Sequence, residues 1–379
     1  MSSRPEPSTG NPSVTLVIPT HSNAKLLREC LDAVRALSYP REQLETIVVD
    51  NASEDGTADL LKKHYPKITH IRLDRNTGFA PACNLGAARG SCEYVAFLND
   101  DAVPEPNWLE ALLAALAAGG EGAVCAASHI RSRDGQEVEF NGASANLFGV
   151  GRPYPASNPS SEGDPLLFAS GGAMLIHRRT FLDAGGFDPE FFAYFEDVDL
   201  GWRLWVMGHR VVYAPGAVVR HVGGATGSLS APHRRYTLWE CNALATVLKN
   251  YESGNMERIL SAALLLQYKR TVLSAGSAFR AEDYNLTAPK DTNTANVERL
   301  PKVSVAHLAA INRFNRLIPH FMRERRRIQS ARKRPDAEIL PLLGNPWQPQ
   351  FAGDEYAQAS RDLAHALSLY DIASDDKLG

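Results

Sequence analysis

The 379-residue sequence predicts an α/β protein with a mainly parallel central sheet and a C-terminal helical region. Three observations carry that expectation. Short β-branched runs alternate with amphipathic helical stretches through the first half of the chain, and strands separated by such helices pair in parallel with both faces covered. Polar and acidic residues follow several of these runs directly, which is how an open α/β sheet presents ligand-binding groups at its carboxyl edge. From residue 233 onward, long segments of helical periodicity replace the alternation.

Residues 14–18 (VTLVI) form the first run, closed by Pro19. Leu26, Leu27, Cys30, Leu31, Val34 and Leu37 then recur at helical spacing over 24–37. A second strand, TIVV at 46–49, enters Asp50 and Asn51, and Ser53 and Asp55-Gly56 can turn the chain and cap a helix over 57–65. A strand over 69–73, a helix over 79–88 and a strand over 94–98 follow, the last running straight into Asn99, Asp100 and Asp101. A helix over 106–118 and a strand over 123–127 continue the pattern. Residues 128–165 are rich in Gly, Pro, Asn and Ser and predict loops and short antiparallel pieces, a length of irregular chain that is commonly functional. Beyond it come a strand over 173–177, a helix over 196–207, short strands over 210–213 and 218–220, and a flexible loop over 221–230. Helices are expected over 239–251, 256–279, 303–334 with a kink at Pro319, and 356–370. The expected organisation is a disordered tail over 1–13, a catalytic domain over 14–230, a helical domain over 231–345 and a tail over 346–379 holding one helix.

The net charge of −3 comes from nearly balanced acids and bases and gives no reason to expect nucleic acid as a partner. Cys30, Cys83, Cys92, Cys125 and Cys241 are scattered without a CxxC pair, which fits reduced thiols in a cytoplasmic protein. The N-terminal stretch has no apolar signal region, and no window reaches the eighteen or so apolar residues of a membrane span.

The strand ends place Pro19 and Thr20, Asp50 and Asn51, and Asn99, Asp100 and Asp101 on one edge of a parallel sheet. Either Asx pair alone reads as a turn former; two pairs on one edge read as a site. No G-x-G-x-x-G follows the first strand and no P-loop motif occurs, which disfavours dinucleotide oxidoreductases and P-loop enzymes. A diphosphate beside carboxylates then needs a cation between them, because like charges repel. Glu196, Asp197 and Asp199 stand where a helix begins, behind the aromatic run FFAYF. One reading is a carboxylate kept ionised to deprotonate a hydroxyl; the other is ordinary helix capping with an Asp199–Arg203 pair. His221 is either structural or, with a carboxylate and substrate oxygens, a ligand for Mn²⁺ or Mg²⁺. The turn at 170–173 (SGGA) offers backbone N–H groups without side-chain bulk, or simply enters a buried strand.

The ordered motifs VTLVIPTHSN, IVVDNASEDGT, NTGFAPACNLG, FLNDD, SGGAMLIHR, FEDVDLGWR and RHVGG, spread over residues 14–227, resemble the inverting family 2 glycosyltransferases, and most of all their rhamnosyltransferase-type members. The resemblance implies the Rossmann-like glycosyltransferase-A fold and a role in polysaccharide or cell-surface glycan synthesis. It implies that Pro19 and Thr20 line a nucleoside pocket, that Asp50 accepts the base's imide N–H with Asn51 beside it, and that Gly78, Phe79 and Asn84 shape the base and ribose site. Asn99 stands where the family's Asp-x-Asp motif has its first acid and would face the ribose, with Asp100 supporting and Gly171 and Gly172 contributing to the substrate site. Asp101 and His221 would hold a divalent cation, Mn²⁺ or Mg²⁺. Asp197 would be the general base, with Glu196 positional. The expected substrates are a nucleotide-diphospho-sugar, dTDP-rhamnose or a UDP-hexose, and a glycan or lipid-linked acceptor. The processive members' Q-x-x-R-W motif is missing, which implies a single addition per binding event.

Two other classes stand beside this expectation. A sugar-phosphate nucleotidyltransferase would carry a Gly-rich basic loop after the first strand, where this chain has THSNAK. A non-catalytic nucleotide-sugar-binding module would not need the base and cation candidates together. In the region 303–334, Arg323, Arg325, Arg326, Arg327, Arg332, Lys333 and Arg334 follow Leu308, Ile311, Phe314, Ile318, Phe321 and Met322. They form either a face resting peripherally on the anionic inner side of the plasma membrane or the solvated side of a packed helix.

Overall fold

The computed structural model describes residues 11–153, 161–221, 231–276 and 299–373. The first ten residues of the expected tail, the loop after His221 and the end of the helix expected over 256–279 lie outside them. The chain divides into two compact units. The first is the described part of Met1–Ala145, Gly151–Ala225 and Ala331–Gly344; the second is that of Asn146–Val150, Thr226–Ser330 and Asn345–Gly379. The division therefore does not follow the chain in order, as the expected limits at 230 and 345 do. Residues 331–344 return to the first unit, where the Lys333 N–H donates to Val206 O at 2.8 Å and Arg334 lies 4.8 Å over the ring of Trp205.

In the first unit the expected βα alternation appears as β1 (Val14–Thr20), α1 (Ala24–Arg35), β2 (Leu44–Asp50), α2 (Thr57–His64), β3 (Thr69–Arg72), α3 (Phe79–Arg89) and β4 (Tyr94–Leu98). All seven residues of β1 are buried, which is the environment that selects continuous Val, Leu and Ile over an alternating pattern. β1 pairs in parallel with both β2 and β4, and β2 with β3. Parallel pairing in phase sets Thr20 beside Asp50, and Asp50 beside Arg72.

Beyond β4 the sheet becomes mixed. After β5 (Ala102–Pro104) and α4 (Trp108–Ala118) come β6 (Ala123–Ser132), β7 (Val138–Phe140), β8 (Ala143–Ala145), β9 (Gly151–Pro153), β10 (Pro165–Leu166) and β11 (Ala173–His177). Then follow α5 (Arg178–Asp183), α6 (Glu196–Val206) and β12 (Arg210–His221). The main sheet runs β10-β12-β6-β11-β4-β1-β2-β3, with β5 paired to β12 and β7 to β6. β11 is antiparallel to both its neighbours, whereas β6 and β12 run parallel. The half built by βα units is thus parallel, and the half beyond β4 combines parallel and antiparallel pairs. One register decides the site: β5 is antiparallel to the end of β12 and pairs Ala102 with His221, so residues at the tip of β4 meet a residue far along the chain.

The second unit is helical, with Pro232–Asn250, Ser253–Ala275, Lys302–Ser330 and Asp354–Ala366 as its long elements. Its core includes a buried polar set in which Arg270 donates to Glu240 at 2.8 Å and to the Tyr356 hydroxyl at 2.8 Å. Arg325 is also internal: it is buried and donates to the carbonyls of Leu248 and Tyr251, both at 2.7 Å. Arg327 pairs with Glu324 at 2.9 Å. Helix phase therefore divides the basic stretch: along Lys302–Ser330, Leu308, Ile318, Arg323 and Arg326 of the residues named in the sequence are exposed, together with Lys302, Val305 and Arg316, while Arg325 is buried. Among the described residues no helix is long and apolar enough to cross a membrane.

Candidate active site

The carboxyl ends of β1, β2 and β4 bring the expected residues together, and each is already held by the protein. Asp50 is fully buried; its Oδ1 accepts from the Ser53 N–H at 2.7 Å and its Oδ2 from Arg72 Nη1 at 2.7 Å. His70 Nε2 lies 3.5 Å from the same Oδ2. Asn51 Oδ1 accepts from the N–H and hydroxyl of Thr77, at 3.1 and 3.0 Å, and its Nδ2 donates to Gly78 O at 3.3 Å. Asn51 thereby fixes the loop that starts α3. Gly78 is required there, since its φ is +97° and a Cβ would stand 2.5 Å from Phe192 O. Asn84, expected at the base and ribose site, instead ties both ends of its amide to the backbone of Phe187, at 2.7 and 2.9 Å. Pro19 pairs in register with Val49 within the sheet, and Phe79 packs 5.8 Å from Phe187.

Asn99, Asp100 and Asp101 form the turn between β4 and β5, closed by the Ala102 N–H donating to Asn99 O at 3.2 Å. Asp100 points back to β1: Thr20 Oγ1 donates to its Oδ2 at 2.6 Å and Asn23 Nδ2 to its Oδ1 at 3.1 Å. Burial pushes the Asp100 carboxyl up to about 6; the bonds from Thr20 and Asn23 pull it down, while the charge of Asp101 adds to the rise. Asp101 faces the other way, its Oδ1 lying 3.0 Å from His221 Nε2. His221 Nδ1 in turn lies 2.8 Å from Glu139 Oε2. Burial disfavours the imidazolium, but hydrogen bonds and charge from Asp101 and then Glu139 outweigh it and raise His221 to about 9. The Asn99 amide comes within 3.4 Å of His221 Nε2, so it lies on the His221 side of the turn. Asn99, Glu139, Ser170, Gly172 and His221 line a cavity of about 140 Å³ with Phe140 and Val219 at its apolar wall.

The turn at 170–172 joins this cavity to the acids of α6. The Asn99 N–H donates to Gly172 O at 2.8 Å, and the Gly171 N–H donates to Asp197 Oδ2 at 3.1 Å. Asp197 Oδ1 accepts from the Val198 N–H at 2.8 Å, and the residue remains partly exposed. Burial raises its pKa above the ordinary carboxylate range, and the bonds from Gly171 and Val198 pull against that rise. Glu196 is buried, and its Oε2 has no hydrogen-bond partner among the described residues. Burial, and next the charge of Asp197, hold its pKa well above the usual value. The approach to α6 is strained: Phe192, Tyr194 and Phe195 have φ of +64°, +71° and +63°. Such left-handed conformations of bulky residues cost about 1–3 kcal/mol each and cluster at functional sites.

Residues 15–184 match the family described as glycosyl transferase family 2. An N-acetylglucosaminyl-diphospho-decaprenol L-rhamnosyltransferase of Mycobacterium tuberculosis is 30% identical over 230 residues, which cover 52% of this chain and 73% of that protein. The chain belongs to glycosyl transferase family 2. A structure of GalNAc-T7 with UDP, GalNAc and Mn²⁺ matches with a TM-score of 0.54 at 16% identity, over 67% of this chain and 51% of that one, so that this chain spans about half its length. S. aureus TarS 1-349 in complex with UDP-GlcNAc matches at a TM-score of 0.50 and 14% identity, over 95% and 91%. At these identities the likeness concerns the fold, which is the glycosyltransferase-A fold expected from the motifs.

A divalent cation at the turn after β4 would meet Asp101 and His221. Among the described residues no group of three His, Cys, Asp or Glu side chains could hold a metal ion by itself. The 3.0 Å between Asp101 Oδ1 and His221 Nε2 nevertheless fits two adjacent ligands of one ion, since donors about 2.1 Å from an octahedral centre stand about 3 Å apart. An oxygen and an imidazole nitrogen suit Mn²⁺ or Mg²⁺ when substrate oxygens and water complete the shell.

Arg72, His70 and Glu139 join the site from outside the sequence motifs. Arg72 carried a usable signal, because a parallel strand beside β2 must set one of its residues against Asp50. Glu139 carried none, since the course of the irregular segment is not encoded in any periodicity.

Proposed function

We propose that this family 2 chain is a non-processive, inverting glycosyltransferase that moves rhamnose or a hexose from a dTDP- or UDP-linked donor to a glycan or lipid-linked acceptor in polysaccharide or cell-surface glycan synthesis. The observation that carries the reading is the turn at 170–172, which joins the Asp197 carboxylate to the Asn99–Asp101–His221 end of the cavity through two backbone hydrogen bonds. Asp197 is the general base: it is anchored, partly exposed, and shifted towards neutral pH, where a base is most effective. Glu196 positions it from the buried side. Asp50 and Arg72 meet the base of the nucleotide, and the loop pinned by Asn51 at Gly78 and Phe79 closes beside it. Pro19 and Thr20 line the nucleoside side, Asn99 faces the ribose, Asp100 stiffens the turn, and Gly171 and Gly172 contribute to the substrate site.

Asp101 and His221 would hold the divalent cation, Mn²⁺ or Mg²⁺, which would supply positive charge for the leaving diphosphate. Asp197 takes the proton of the acceptor hydroxyl as its oxygen attacks the anomeric carbon from the side opposite the diphosphate. One displacement of this kind inverts the anomeric centre and needs no nucleophile from the protein. The rhamnosyltransferase relative named for a diphospho-decaprenol acceptor supports a lipid-linked acceptor. The enzyme then works in the cytoplasm, in peripheral contact with the inner face of the plasma membrane through the exposed Val305, Leu308, Ile318, Arg323 and Arg326.

A thermal-shift screen of UDP, dTDP, GDP and their sugars, with and without Mn²⁺, tests the donor side, because a ligand that binds only the native state raises its stability. The expected result is a shift with UDP or dTDP ligands that grows with Mn²⁺ and loses that growth in Asp101→Ala. No shift with any nucleotide would overturn the proposal.

A further inference from the structure

We propose that Glu139 is a positioning residue that orients His221 and fixes its tautomer, so that Nε2 is presented to the cation beside Asp101. The inference rests on the reading of Asp101 and His221 as cation ligands and adds a residue that no motif of the chain contains. β7, which carries Glu139, pairs antiparallel with β6, and β12, which ends at His221, pairs parallel with the same strand. Two residues remote in sequence thereby meet at the end of β6. Phe140 anchors β7: it is buried and lies 6.2 Å from the ring of Phe168, so Glu139 sits on a fixed element.

The two ring nitrogens of His221 have different neighbours. Nδ1 lies 2.8 Å from Glu139 Oε2, and Nε2 lies 3.0 Å from Asp101 Oδ1. Without a cation the ring is protonated and faces a carboxylate on each side; a cation beside Asp101 would take the place of the Nε2 proton, leaving one N–H, and an ionised carboxylate can only accept. Glu139 therefore holds the hydrogen on Nδ1 and leaves the Nε2 lone pair on the Asp101 side, where the cation binds. Glu139 is not itself placed as a ligand, because it meets the ring at Nδ1, away from the Nε2 that faces Asp101. Asn99, at 3.4 Å, approaches the same Nε2 and cannot do this work. A carboxylate behind a metal-bound histidine raises its basicity as well as fixing its direction, and losing such a partner costs about 10- to 100-fold in metal affinity.

The test is a titration of Mn²⁺ into wild type, Glu139→Gln and Glu139→Asp, each with saturating UDP or dTDP, counting free Mn²⁺ by electron paramagnetic resonance. The Glu139 side chain is 35% exposed, so the amide variant has no buried charge to strand, and its unfolding midpoint is measured alongside. The expected result is Mn²⁺ binding about 10- to 100-fold weaker in Glu139→Gln, with partial recovery in Glu139→Asp and metal-free nucleotide binding unchanged. If wild type binds Mn²⁺ and Glu139→Gln binds it within twofold, the role of Glu139 is overturned while the cation reading stands. If wild type takes up no Mn²⁺ with either nucleotide, the cation reading falls and this inference with it.

Discussion

Replacing Gly201 by alanine puts one methyl group into a place where the structure has none to spare. Gly201 lies in α6, one helical turn after Asp197 and on the same side of the helix. A Cβ there would stand 2.4 Å from Phe168 Cβ, 2.5 Å from Leu167 O and 2.5 Å from Phe168 Cα. Ordinary contact begins near 3.4 Å, and these neighbours cannot swing aside as a long side chain would. The helix must therefore retreat by about 1 Å. The 3.1 Å bond from the Gly171 N–H to Asp197 Oδ2 then passes the limit of a hydrogen bond.

Two effects on stability oppose each other. Alanine gains about 1 kcal/mol of helix propensity over glycine, while overpacking costs about 1–3 kcal/mol. The net expected is a loss of up to about 2 kcal/mol, together with a fall in kcat of about 100-fold from misplacing the base by that distance. Release of nucleoside diphosphate from the donor measures the second, and urea unfolding the first. A variant that is more stable than wild type and keeps kcat within twofold would refute the claim that the Phe168 backbone sets the position of the base.

Asp199→Ala leaves Arg203 buried without its 2.8 Å partner, so urea unfolding should show a loss of about 3–5 kcal/mol even though Arg203 still donates to the carbonyls of Ala184 and Gly186. Glu196→Gln should stabilise the protein as pH rises. The folded-state pKa of Glu196 is raised, so the folded form favours the protonated carboxyl, and wild-type stability is lost as pH climbs past the ordinary value near 4. Unfolding midpoints of the two proteins should coincide at low pH and separate above it. For Asp197 the same direction predicts an acid limb of kcat/KM above the ordinary carboxylate value near 4, with activity falling as pH drops and the base becomes protonated.

The parallel half of the fold was legible because burial on both faces leaves an unmistakable mark: VTLVI, TIVV and YVAFL are runs that only a covered sheet accommodates. The mixed half was not, since the run at 173–177 reads the same whichever way it pairs, and only its two neighbours make it antiparallel. The same contrast holds at the site. That polar groups gather at the ends of β1, β2 and β4 follows from strand direction and could be read directly. What those groups touch could not: Asn51 and Asn84 have amides that suit a ligand, yet each is held by backbone of a neighbouring loop. The pairing of Asp101 with His221 depends on the three-residue strand β5, too short to leave a pattern of its own.

The second unit shows another limit of sequence reading. Basic residues in a row suggested one charged face, but helical geometry points Arg325 inward to the carbonyls of Leu248 and Tyr251 while Arg323 and Arg326 stay outside. A run of charge becomes a surface only after the helix phase divides it.

The central claim is that Asp197 removes the proton of an acceptor hydroxyl in a cation-assisted displacement of nucleoside diphosphate. It is tested most directly by comparing wild type with Asp197→Asn over a panel of UDP- and dTDP-sugars with Mn²⁺, following sugar transfer and donor-induced thermal shift on the same samples. Wild type should transfer sugar, Asp197→Asn should lose transfer by at least about 100-fold, and the donor-induced shift should be undiminished in the variant. Equal transfer by the two proteins, or a shift without transfer in either, would contradict the claim.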